Sequence, residues 1–161
     1  MGLGNLFKLP KMRSDGMNSA RERASMMTKE RLALCVRVEP VVLHQDSRGS
    51  VFEPLEPESL PSQRNMHVVV TEPGGIRGNH YHTRGTEVIT VQGPALVRIR
   101  DGQEIQDTVI PEDVVTRFTI PPGIAHAVQN LGTRPMLLVA SSDLAYDPSA
   151  PDVVREILIE A

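Results

Sequence analysis

The sequence predicts an all-β barrel or sandwich, and three observations lead there. From Cys35 onward the chain breaks into short runs rich in Val, Ile and Thr, the residues that fit a pleated, half-buried surface. Turn-forming clusters punctuate those runs at close spacing, as in sandwiches and small barrels. Two runs alternate strictly: Val97 and Ile99 against Arg98 and Arg100, and Thr116, Phe118 and Ile120 against Arg117 and Thr119.

Residues 1 to 16 carry Gly2, Gly4, Pro10 and Gly16 among scattered Lys and Arg, with no sustained period, and read as an arm. Ser19 to Leu34, rich in helix formers, predicts a short helix within that basic arm. The main domain is expected over residues 35–161. Its strands are predicted over 36–38, 41–43, 67–70, 88–91, 95–99, 114–120 and 136–140, with further strands carrying His80, His82 and His126. Asp46-Ser47-Arg48-Gly49, Glu72-Pro73-Gly74-Gly75, Gln92-Gly93-Pro94, Asp101-Gly102, Pro121-Pro122-Gly123 and Leu131-Gly132-Thr133 supply the turns. Pro54, Pro57 and Pro61 make 54–62 an irregular connection. Residues 146–152 form a loop, and Val153 to Ile159 closes the chain as a strand or short helix.

Composition narrows the function classes. The 161 residues make one ordinary domain with a small N-terminal arm, and 40% hydrophobic content supplies a core. Aromatics are only 3% and Trp is absent, so the core is aliphatic and stacking platforms for single strands are missing. The formal charge of −3 divides into +4 over residues 1–34, from seven Lys or Arg against three acids, and hence −7 for the remainder. An acidic body repels a phosphate backbone, which argues against nucleic acid. The one cysteine, Cys35, excludes an internal disulfide and fits a reducing compartment. No apolar run reaches the roughly 18 to 20 residues of a membrane-spanning helix, and no signal-peptide core opens the chain. The cytoplasm is the expected location.

The chemistry concentrates in Gly74 to Gly93. His80 and His82 are alternate residues of a strand and share a face, while Tyr81 points away. If the chain turns at Arg84-Gly85, Glu87 re-enters a strand within reach of the same spot. His126, behind Pro121-Pro122-Gly123, adds a third imidazole from a distant strand. Three neutral imidazoles and a carboxylate suit a divalent metal, zinc first, with iron, manganese, nickel or cobalt compatible. His44 and His67 stand outside this set and read first as ordinary strand residues.

These stretches resemble the two motifs of the cupin superfamily. Gly74, His80, His82 and Glu87 match the first, and Pro121, Gly123, His126 and Asn130 match the second. The resemblance implies a cupin jelly roll, a double-stranded β-helix, with a metal in its mouth. It also implies a homodimer paired through sheet edges. Two departures stand out. Five residues rather than six separate Glu87 from Gly93, so a turn must absorb the difference for Glu87 to face inward. The second motif has Glu112, Asp113 or Val114 where the family usually has Gly.

A narrower resemblance covers Gln45 to Val153. Arg77-Gly78-Asn79-His80-Tyr81-His82-Thr83, Ile120-Pro121-Pro122-Gly123 and Tyr146 to Asp152 look like the C-terminal cupin domain of capsular polysaccharide biosynthesis enzymes. Those enzymes join a nucleotide-sugar reductase to a cupin that epimerises a UDP-4-keto-6-deoxyhexose at C3. The resemblance thus implies a free-standing version acting with a separate reductase. Asp46 to Glu53 also resembles an Arg-Gly and Glu segment of the dTDP-4-keto-6-deoxyglucose 3,5-epimerases, which marks Arg48 and Glu53 as candidate substrate-binding residues, and Arg77 joins them because a guanidinium suits a nucleotide diphosphate or sugar hydroxyls. The catalytic base of that family falls on His80, but the adjacent His82 assigns His80 to metal first. His67 and Tyr146 then remain as candidate acid and base. The expected function is a metal-dependent epimerase or isomerase of a nucleotide-linked 4-keto-6-deoxy sugar. An Fe(II)-dependent oxygenase and a non-catalytic sugar-binding or sensor module are the alternatives that the same residues permit.

Overall fold

The computed structural model describes residues 36–161, so the expected basic arm, its helix and Cys35 lie outside the described residues. Twelve strands follow in order: β1 (Arg37–Val41), β2 (His44–Asp46), β3 (Gly49–Val51), β4 (Asn65–Thr71), β5 (Ile76–His82), β6 (Glu87–Gln92), β7 (Ala95–Asp101), β8 (Glu104–Ile110), β9 (Val115–Ile120), β10 (Ala125–Asn130), β11 (Met136–Ser142) and β12 (Val153–Arg155). The irregular 54–62 connection is observed, and it ends in a single 3₁₀ turn, Leu60–Ser62. Among the described residues no helix is long and apolar enough to cross a membrane.

The strands form two five-stranded antiparallel sheets, in the orders β1-β9-β6-β11-β4 and β12-β5-β10-β7-β8, with β2-β3 as a separate hairpin. Their inner faces enclose the core. Val91, Val97 and Phe118 are fully buried, with Ile89, Ile99, Ile120, Val128, Leu138 and Ala140 packed around them. The alternation expected along β7 is observed: Val97 and Ile99 face in, while Arg98 and Arg100 lie on the outer face. Each inward Val, Ile, Leu or Phe removed from water contributes about 1.5–3 kcal/mol. β6 is buried along almost its whole length, because the 52–57 segment covers its outer side and the Thr90 hydroxyl donates to the Pro54 carbonyl at 2.6 Å. Arg117, on the outer face of β9, is 7% exposed and meets Glu56 at 2.6 Å and Glu39 at 3.5 Å.

The structure differs from the sequence reading at four places, one of them the β2-β3 hairpin, whose short strands His44–Asp46 and Gly49–Val51 flank a stretch read only as a turn. β8 was not expected, because its apolar Ile105 and Val109 face solvent and the usual inward periodicity is lost. The first strand ends at Val41, so Val42 and Leu43 are connection rather than strand. At the C-terminus only Val153–Arg155 pair as a strand, and the residues after it run on without a helix.

Between β5 and β10 the register shifts. His126 opposes His80, but the next residue, Ala127, opposes Gly78, leaving Asn79 as the extra residue of a bulge. Asn79 sits at φ +55° and Gly78 at φ +79°. A side chain at Gly78 would come within 2.7 Å of the His126 carbonyl oxygen, so this left-handed, crowded position takes only glycine. The Asn79 side chain is tied to the C-terminal segment: its amide donates to the Ile159 carbonyl and its oxygen accepts from the Leu158 and Ile159 backbone N–H groups, all within 3.0 Å. The bulge therefore sets the aim of His80 and His82 separately from that of Ile76 and Arg77.

Candidate metal centre

Two sheets contribute to one cluster at an end of the barrel. β5 carries His80 and His82, its neighbour β10 carries His126, and β6 of the opposite sheet carries Glu87. Pairing fixes their direction: His126 opposes both His80 and Ile99, and Glu87 opposes Ile120, so each shares a face with core residues. One ligand atom from each of the four lies within 4.8 Å of the others. His126 Nε2 is 2.9 Å and His82 Nε2 3.3 Å from Glu87 Oε2. The ring centres of His80 and His126 are 4.7 Å apart, and those of His80 and His82 5.2 Å apart.

The donor set fits a divalent cation. His80 Nε2, His82 Nε2 and Glu87 Oε2 are buried and form no aligned hydrogen bond, although they converge. Buried polar atoms normally find a partner, so orphaned atoms aimed at one point indicate a missing one. Ligands bound about 2.1 Å from a common centre stand roughly 3–4 Å from one another, close to the spread seen here. The outward nitrogens are also engaged. The Ile124 carbonyl is 3.3 Å from His126 Nδ1, and Asp152 Oδ2 is 3.4 Å from His82 Nδ1. Acceptors at Nδ1 keep the proton there and leave the Nε2 lone pairs facing the centre.

Electrostatics keep Glu87 and His80 in their binding forms. Burial alone would raise Glu87, but the imidazoles of His126 and His82 beside it outweigh burial and hold its carboxyl well below the usual range. Burial, reinforced by His126, pushes His80 down to about 4, so it is neutral near pH 7. The Glu87 carboxylate raises His82. Both effects run through the short contacts of Glu87 Oε2 with His126 Nε2 and His82 Nε2.

Asp152 was missed in the sequence. Read there as part of a loop, it accepts from the Thr83 hydroxyl at 2.7 Å, the Gly85 N–H at 3.0 Å and Arg84 Nε at 3.2 Å, and so pins the β5–β6 turn behind His82. Burial opposes ionisation of Asp152, but these donors bring it down to about 2. Gly85 serves this turn by close approach: a side chain there would lie 3.0 Å from Leu144 Cβ and 3.2 Å from Asp152 Oδ2. The run Tyr146 to Asp152 was the available signal, yet nothing local says which histidine its carboxylate meets.

The remaining candidates scatter. His67 lies on β4, exposed, on the face that Val69 and Thr71 turn toward the core, and close enough to His80 for a charge on one to be felt by the other. Tyr146 is 76% exposed in the loop after β11. Arg48 is bound to Asp46 in the β2-β3 hairpin, its side chain 88% exposed. Glu53 lines a recess with Arg117 and Phe52 behind the first sheet, away from the four ligands. Arg77 shares β5 with two ligands, beyond the bulge, and donates to the Val70 carbonyl at 3.1 Å. Tyr81 opposes Val154, on the face opposite His80 and His82.

Residues 44–154 match the family described as the polysaccharide biosynthesis C-terminal domain. The chain is 27% identical over 130 residues to the spore coat polysaccharide biosynthesis protein SpsL of Bacillus subtilis, covering 74% of this chain and 86% of that protein. Its structure is similar to the capsular polysaccharide assembling protein CapF of Staphylococcus aureus, with a TM-score of 0.56 and 28% identity over 74% of this chain; it spans only 33% of that larger protein. ChmJ, a 3'-monoepimerase of Streptomyces bikiniensis solved in complex with dTDP-quinovose, superposes with a TM-score of 0.58 at 21% identity, covering 71% of this chain and 67% of that one, and supports the jelly-roll fold. Fold and sequence agree: this chain is a cupin that belongs to the polysaccharide biosynthesis C-terminal domain family.

Proposed function

We propose that this chain is a metal-dependent epimerase or isomerase of a nucleotide-linked 4-keto-6-deoxy sugar in polysaccharide or deoxysugar biosynthesis. The convergence of His80, His82, Glu87 and His126 at the barrel end is the observation that carries this reading. Membership of the family and the 3'-monoepimerase activity of a fold neighbour supply the substrate class. The four side chains would hold a divalent cation, zinc first, with iron, manganese, nickel or cobalt compatible. Such a cation supplies Lewis-acid stabilisation of the negative charge that develops on a ketone oxygen.

The chain's own groups then move the proton. A base takes the hydrogen alpha to the ketone, the C–H electrons pass into the enolate, and a proton returned to the other face inverts the carbon. His67, on the cavity face of β4, is the first candidate for one role, and Tyr146, in the adjoining exposed loop, for the other. Arg77 is the candidate substrate contact on β5. Arg48 and Glu53 lie on the outer side of the first sheet, so a substrate role for them calls for a second copy of the chain, in keeping with a homodimer. A separate reductase would act on the product, in the cytoplasm.

Hydrogen exchange tests the reading. Metal-loaded protein incubated in D2O with UDP- or dTDP-4-keto-6-deoxyhexoses is expected to place deuterium at C3 or C5, read by NMR, and His67→Gln to slow it by about 10²–10⁴-fold. Absence of exchange with every such sugar overturns it.

A further inference from the structure

β12 forms the free edge of the second sheet, and its register sets Arg155 opposite His80 and Val153 opposite His82. Directly opposed residues of an antiparallel pair project from the same face with Cβ atoms about 4.5–5.5 Å apart. Arg155 therefore stands on the cavity face, one strand out from a ligand of the candidate metal centre, while Val154 turns the other way with Tyr81. Other arginines near this end are committed. Arg84 is bound to Asp152, Arg98 to Asp107, Arg100 to Glu156, and Arg77 to the Val70 carbonyl. Arg155 is exposed, and its guanidinium has no hydrogen-bond or carboxylate partner among the described residues.

An unpaired guanidinium beside a candidate cation site suits a substrate with two anionic parts of its own. The chain outside residues 1–34 has a formal charge of −7, the whole being −3 and that segment +4. A diphosphate approaching such a body is repelled unless a local cation receives it. We propose that Arg155 is the phosphate-binding residue of the mouth: its fork holds the diphosphate of a nucleotide-linked sugar and positions the sugar over His80 and His126. This rests on the nucleotide-sugar reading above, and it adds an anion site that no resemblance had marked.

Binding of UDP, dTDP and inorganic pyrophosphate to the full-length, metal-loaded protein tests it by calorimetry, without recourse to turnover. Arg155→Gln is expected to weaken UDP or dTDP at least about tenfold, the loss of one charge-assisted contact. Arg155→Lys should recover part of the affinity and steepen its loss with salt. Arg134→Gln, at the far end of the barrel beside Glu112, should bind as the parent does. Metal content and melting temperature of each variant separate a lost contact from a lost site. Equal nucleotide binding by parent and Arg155→Gln overturns the proposal, since the metal alone would then hold the anion. No binding of UDP or dTDP by the parent overturns it as well. An Arg155-dependent site with no deuterium exchange on any keto sugar leaves the anion site standing and removes only the epimerase reading.

Discussion

At the scale of the residue, Asp152 shows how a candidate metal ligand is held from behind. Its carboxylate stands 3.4 Å from His82 Nδ1 while Thr83, Arg84 and Gly85 saturate its other lone pairs, so it has little freedom to turn away. Carboxylates in this position fix the tautomer and orientation of a ligating imidazole, and removing them weakens metal binding by about 10–100-fold. Asp152→Asn is accordingly expected to raise the metal Kd by that factor, measured by competition with a chelator, and to shift the cobalt-substituted absorption spectrum. A spectrum and Kd unchanged from the parent would reduce Asp152 to a support for the turn. His80, His82, Glu87 and His126 were legible because their motifs are local in sequence. Asp152 was not, because its partner His82 lies 70 residues earlier in the chain (152 − 82) and an isolated Asp in a loop carries no periodicity.

At the scale of the element, strands whose apolar side faces the core were readable and β8, at one edge of the second sheet, was not. β8 has Ile105 and Val109 outward, at 56% and 65% exposure, so its alternation is inverted. It is held instead by pairing with β7 and by Arg98, which grips Asp107 through two contacts of 2.7 Å and reaches the Leu158 carbonyl at 3.1 Å. The Arg98 guanidinium lowers the Asp107 carboxyl below its ordinary value of 3.8. A depressed folded-state value means the pair's contribution is present above the unfolded pKa and disappears as pH falls through the folded one. Asp107→Asn should therefore melt below the parent at pH 7 by no more than a few degrees, as suits a partly exposed pair worth roughly 0.2–1 kcal/mol. That gap should close as pH falls well below the ordinary carboxyl value of 3.8. A gap independent of pH down to that point would locate the effect in something other than the carboxylate's charge. β5 was legible as a strand, but its bulge at Asn79 was not, since a bulge is defined by the partner strand it slips against.

At the scale of the whole molecule, the candidate metal centre joins two sheets that elsewhere meet through side-chain packing and side-chain hydrogen bonds such as Arg77 to the Val70 carbonyl and Asn130 to the Thr71 carbonyl. Glu87 comes from one sheet and the three histidines from the other, so a bound cation acts as a cross-brace. A ligand that binds only the folded state stabilises it by about 2.7 kcal/mol at a hundredfold excess over Kd, on the order of 10 °C for a domain of this size. Chelation should lower the melting temperature of the parent by that order and leave His126→Ala, which lacks a ligand, unchanged. An unmoved parent would count against a resident metal.

The amino-acid sequence by itself determined the all-β class, the inward positions of β7 and β9, and the two histidine-bearing segments. Each of these is a pattern of neighbours within a few residues, and strand geometry converts such patterns into faces. Only the tertiary structure decided that Glu87 crosses from the opposite sheet to meet His82 and His126, that Asp152 stands behind His82, and that Arg155 shares a face with His80. It also placed Arg48 in an outer hairpin and Glu53 behind the first sheet, where the sequence had grouped them with the substrate residues. The physical reason is that register and sheet order arise from pairings between distant strands, and those pairings choose which local patterns come to share one cavity.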